Sequence, residues 1–169
     1  MVSGLPRFAH NSVSIRSLDS ISQLRKMPKG SVAVLSLGTN DAVGNLNAIE
    51  ASIDNIIRTA KDLGIRLIWV GPPCVLKSWN KNVTKLDYIL RSKIEEKENL
   101  KFVSLAIDDL CSRDLRSSDG VHFNMHGYRI IWERTRNISE FNQDIREKRT
   151  ILNSGNRISM QSKKKLKNK

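Results

Sequence analysis

Three short apolar runs that do not alternate with polar residues constrain this chain more than any other feature. They are Val32-Ala33-Val34-Leu35-Ser36-Leu37, Arg66-Leu67-Ile68-Trp69-Val70 and Lys101-Phe102-Val103-Ser104-Leu105. A strand with one wet face alternates; runs like these belong to strands covered on both faces, which is the habit of parallel sheets. Stripes of helical period lie around them. Leu46, Ile49, Ile53, Ile56, Ile57, Ala60 and Leu63 form one that stops at Gly64, and Val83, Leu86, Leu90 and Ile94 form a second. Leu18, Ile21, Leu24 and Met27 make a shorter stripe before Pro28, and Tyr128, Ile131, Trp132, Thr135 and Ile138 make the last, with Asn124 placed as its N-cap. Strand and helix in alternation predict right-handed crossovers and an α/β fold, a three-layer α/β/α sandwich around a parallel sheet. Ligands in such sheets bind beyond the carboxyl ends of the strands, so the segments after Leu37, Val70 and Leu105 are where chemistry is expected.

Composition narrows the function classes. The 169 residues suffice for one core. The longest apolar run, Val32 to Leu37, is too short to cross a bilayer, so no membrane span is expected. The first residues show no basic region followed by an apolar run and a cleavage site, which leaves the cytoplasm as the default compartment. Cys74 and Cys111 make neither a metal spacing nor a disulfide framework and read as small core or loop residues. The net charge of +12 is uneven: residues 146–169 hold nine Lys/Arg against one acidic residue, a net of +8, leaving +4 for residues 1–145. The expected organisation is a domain over 1–142 and a basic, disordered tail over 143–169. That tail is either a solubilising extension or a weak, salt-sensitive contact with nucleic acid or an anionic surface.

Two loops carry the chemistry. Gly38-Thr39-Asn40-Asp41 follows the most apolar strand; its glycine suits a tight turn, and the Asn40 amide is placed to donate to a developing negative oxygen. The same four residues also make an ordinary turn. Asp119-Gly120-Val121-His122 stands just before the last helix, where a carboxylate three residues ahead of an imidazole can hold one ring nitrogen and leave the other as a general base. His126, further on, is expected to face solvent or the sheet rather than a reaction centre.

Taken together and in this order, the two blocks resemble those of the SGNH hydrolases, the GDSL-type esterases and lipases, in which Gly-x-Asn-Asp follows the third strand and Asp-x-x-His precedes the last helix. Val70-Gly71-Pro72-Pro73 is similar to the family's turn after the next strand, and the resemblance runs from about Pro6 to Ile138. It implies a flavodoxin-like sandwich, His122 as base, Asp119 as its orienting partner, and Asn40 with Gly38 on the oxyanion side. It also implies hydrolysis of an acyl or acetyl ester in a small molecule, carbohydrate or lipid, with no metal and no organic cofactor.

The family's Gly-Asp-Ser block, which supplies the nucleophile, has no counterpart. Ser3 has no strand before it, and Ser12 lies too close to Asn40 for the intervening strand and helix. The better alignment makes Arg7 to Ile15 the second strand and block, with Ile15, Ser12 or Ser14 where the family has an oxyanion glycine. The expectation is a domain that starts after its own first strand. With the family's strand order, 2-1-3-4-5, the Val32–Leu37 strand then has an unpaired edge or pairs directly with Arg7–His10. A catalytically inactive remnant or binding module on the same fold, and a protein acting on nucleic acid through its tail, are the competing readings. The segment Gly71–Trp79 is expected to border the acyl pocket, with Trp79 either covering a sugar or a lipid or serving packing.

Overall fold

The structure, a computed structural model, describes residues 14–137 with the exception of Glu96 and Glu98. Three parallel strands, β1 (Val32–Ser36), β2 (Arg66–Val70) and β3 (Leu100–Val103), form a sheet in the order β1-β2-β3. Ala33 pairs with Leu67 and Leu35 with Trp69, while Leu67 pairs with Leu100 and Trp69 with Phe102. The helices are α1 (Asp19–Leu24), α2 (Thr39–Ala42), α3 (Ile49–Asp62), α4 (Asn80–Ile94) and α5 (Met125–Arg136). Two 3₁₀ turns, Asp108–Cys111 and Arg113–Leu115, follow β3. The chain divides into two units, Met1–Ile131 and Trp132–Lys169; of the second, only 132–137 are described.

The helical stripes read from the sequence are the buried faces. Ile49, Ile53, Ile56, Ile57 and Ala60 of α3 and Val83, Leu86, Leu90 and Ile94 of α4 are buried in one cluster with Ala33, Leu67, Trp69 and Leu100. Both helices lie on one face because two successive crossovers in a sheet that steps in one direction have the same hand. Strand alternation turns Ile68, Val70 and Val103 to the other face, where they too are buried. Double coverage is the reason β2 is almost uninterruptedly apolar. α5 begins where expected: the Asn124 side-chain oxygen accepts from the Gly127 N–H at 3.1 Å, a cap on the third residue of the helix. Residue 138, the end of that stripe, lies outside the described residues, as do the Arg7–His10 segment, Ser3, Ser12 and the basic tail.

β1 differs from β2. Among the described residues it pairs only with β2, and Val34 is 43% exposed. No helix among the described residues is long and apolar enough to cross a membrane.

Candidate active site

The turn after β1 is built on Gly38. Its φ of 123° is a conformation that L side chains rarely adopt, and an added Cβ would stand 3.1 Å from Leu86 Cδ2 and 3.2 Å from Pro72 Cδ. Gly38 then acts as N-cap residue of the single turn α2, with its carbonyl accepting from Ala42 N–H at 2.9 Å. The short helix was not legible as one, since four residues carry no period. Asn40 is exposed at this turn, whereas Asp41 is 3% exposed. Asp41 accepts from the Ile15 N–H at 2.8 Å and from Arg16 Nη1 at 3.5 Å, and Arg16 Nη2 donates to the carbonyls of Asn45 at 2.6 Å and Asn47 at 3.0 Å. The acidic member of the first block is therefore a clamp that fastens the chain before α1 to the turn after β1. This bears on Ile15, one of three residues aligned with an oxyanion glycine. Its N–H is committed to Asp41, and its side chain, 1% exposed, lies in the main core rather than over a reaction centre.

Asp119 and His122 sit in a small hairpin. Arg116 and Phe123 pair as an antiparallel bridge at its base, and the Ser117 N–H donates to the His122 carbonyl at 2.8 Å. Gly120, at φ 70°, makes the reversal. Asp119 Oδ1 accepts from the N–H groups of Val121 at 2.9 Å and His122 at 3.0 Å, while Oδ2 lies 2.5 Å from His122 Nδ1. The imidazole contact first, then these two backbone donors, holds the Asp119 carboxyl well below the usual carboxylate range, so it stays ionised. An ionised partner at Nδ1 favours a proton on that nitrogen and leaves Nε2 outside the contact. The His122 side chain is 70% exposed, and among the described residues no hydroxyl bonds its ring. His126 is exposed on α5.

Both blocks abut the segment that leaves β2. Pro72 packs on Gly38 at its start, and at its end the Leu76 N–H donates to the Gly120 carbonyl at 2.9 Å. Four residue steps reach at most about 14 Å. The two loops therefore share the carboxyl-end rim of the parallel sheet. Trp79, half-buried at the start of α4, packs against the core.

The cysteines overturn the sequence expectation. Cys74 and Cys111 are joined as a disulfide, with Cα atoms 5.4 Å apart. Their separation of 37 residues matches no spacing rule; adjacency comes from the fold, because the segment after β2 and the 3₁₀ turn after β3 leave neighbouring strands at the same end. The Cys74 N–H also donates to the Leu105 carbonyl at 3.0 Å, and so brings those two loops together independently of the bond.

Among the described residues no cluster of His, Cys, Asp or Glu could hold a metal ion. A cleft of about 580 Å³ opens elsewhere, lined by Lys61, Gly64, Arg66, Lys97 and Asn99 among others; none of its lining residues belongs to the candidate set. The position of those residues at the amino ends of β2 and β3 separates it from the rim that carries Asn40 and His122. Sequence reading also missed Arg116, whose burial no local pattern announces. No family model matches the chain, and no curated protein matches it.

Proposed function

We propose that this chain is an ester hydrolase of the SGNH type on a three-layer sandwich, acting on acyl or acetyl esters. The observation that carries the reading is the 2.5 Å contact of an ionised Asp119 with His122 Nδ1, on the same rim as the Gly38–Asn40 turn. In this reading Nε2 takes the proton of an attacking hydroxyl or water as its oxygen bonds to the ester carbon. The carbonyl π pair moves onto oxygen, where the Asn40 amide, in the turn set by Gly38, donates to it. Collapse re-forms the carbonyl, breaks the bond to the alcohol oxygen, and returns the proton from Nε2 to the departing alkoxide; where the attacking group is a hydroxyl, a water then repeats the sequence on the acyl ester so formed, releasing the acid and restoring the hydroxyl.

The test is hydrolysis of p-nitrophenyl acetate by the full chain, beside His122→Ala and Asn40→Ala. Saturable turnover that falls about 10²-fold or more in each variant is expected. Rates lost only in His122→Ala indicate an exposed imidazole reacting without a site and overturn the proposal, as does a rate unchanged in both. A second reading, a non-catalytic module on this fold, is favoured by the absence of a hydroxyl on the His122 ring among the described residues. Saturable binding of an ester without turnover would establish it.

A further inference from the structure

Arg116 is a buried cation that the proposed chemistry does not use directly. The residue is 6% exposed, among the described residues it bonds no carboxylate, and both terminal nitrogens of its guanidinium donate to backbone carbonyls while Nε is without a partner there. Nη1 donates to Val121 O at 2.9 Å, and Nη2 donates to Leu110 O at 2.5 Å and to Cys74 O. The plane covers the Phe123 ring, with Cζ 3.5 Å from its centroid. These acceptors belong to three separate segments: the loop after β2, the first 3₁₀ turn, and the hairpin that holds Asp119 and His122. A buried charge without an ionic partner is expensive, and a planar fork with several donors is the side chain that can satisfy three carbonyls at once.

We propose that Arg116 is the positioning residue of the base: it locks the Val121 carbonyl, one residue before His122, to the Cys74 carbonyl and so fixes the dyad against the loop that Gly38 also touches. The inference rests on the ester-hydrolase reading for its catalytic consequence, but not for its structural one. Removing the fork frees the Val121–His122 peptide plane, whose carbonyl Arg116 holds and whose N–H donates to Asp119 Oδ1, while the Leu76 to Gly120 and Arg113 to Ser118 bonds still tie the hairpin. The Asp119 carboxylate would then keep its neighbours only part of the time.

The experiment uses the isotopically labelled full chain and Arg116→Lys, which retains the charge but not the fork, with Arg116→Met as a second variant. The Asp119 carboxyl ¹³C shift is followed against pH, and p-nitrophenyl acetate turnover is measured alongside. In a variant whose sheet amides keep their shifts, the Asp119 midpoint is expected to rise toward the ordinary value of about 3.9, and kcat to fall about 10-fold with KM little changed. A folded variant with a lower Tm but an unmoved Asp119 midpoint would show Arg116 to be mere packing and overturn the proposal. If both variants fail to fold, the unmodified chain decides. Slow rotation about the Arg116 Cζ–Nε bond, with separately resolved Nη protons, supports the lock, and a freely rotating guanidinium refutes it. Absence of turnover in the unmodified chain sinks the hydrolase reading and leaves the ¹³C comparison intact.

Discussion

Breaking the Cys74–Cys111 bond is the perturbation whose cost follows most directly from connectivity. The bond closes a loop defined by a separation of 37 residues. The chain-entropy relation gives about 4 kcal/mol for the constraint that a loop of that length places on the unfolded chain. For a domain of this size, each kcal/mol moves Tm by about 2–4 °C, so the loss amounts to roughly 8–15 °C. The fold should survive, because Arg116 still bonds the carbonyls of Cys74 and Leu110 and the Cys74 N–H still bonds Leu105 O. The assay is thermal unfolding by circular dichroism of the chain with and without a thiol-free reductant, and of the Cys74→Ala, Cys111→Ala double variant. The double variant also loses the buried packing of Cys74 and sets the upper end of the range. Two titratable thiols in the unreduced, denatured chain would refute the bond itself. An unchanged Tm after complete reduction would refute the entropic reasoning.

Three further outcomes are expected. Gly38→Ala should cost about 2–5 kcal/mol, from a positive φ and from overpacking against Leu86 and Pro72, read as a lower urea midpoint; a variant as stable as the parent would contradict the turn geometry. Burial pushes the Asp87 carboxyl up despite the Ser104 hydroxyl at 2.8 Å and Arg91 nearby. Because its folded value is raised, its contribution to stability is present at low pH and is lost as pH rises from about 3.9 through that value. Asp87→Asn should therefore gain on the parent as pH rises through the window, and a pH-independent difference in urea midpoints would exclude the assignment. Asp119 has the opposite sign. Its depressed carboxyl contributes above the unfolded value and stops contributing as pH falls through the folded one, so Asp119→Asn should flatten the acid limb of the unfolding curve; identical acid limbs in parent and variant would show that the contact to His122 is not formed in solution.

The parts of the structure that were legible are those governed by local period. The α3 and α4 stripes, the three strands and the Asn124 cap each depend on residues within a few positions of one another, and their bounds lie within three residues of the expected ones. Asp119 and His122 are also a local pair, joined across three residues, so their contact was readable as a turn. The features that escaped are products of the tertiary arrangement. The disulfide and the three carbonyls around Arg116 join segments that meet only because β2 and β3 are parallel neighbours whose exits lie at one end. Asp41 could be read as part of a motif but not as a clamp on Ile15, because the partner lies 26 residues earlier. The family likeness rests on two short blocks, and short blocks carry no information about what fastens them.

The central claim is that the His122 base and the Asn40 amide act on one bound ester. A double-mutant cycle on kcat/KM for p-nitrophenyl acetate, using His122→Ala, Asn40→Ala and the pair, tests it most directly. Groups that serve one transition state are strongly non-additive, so the pair should lose little more than His122→Ala alone. Independent, multiplying losses, or a full rate in His122→Ala, would contradict it.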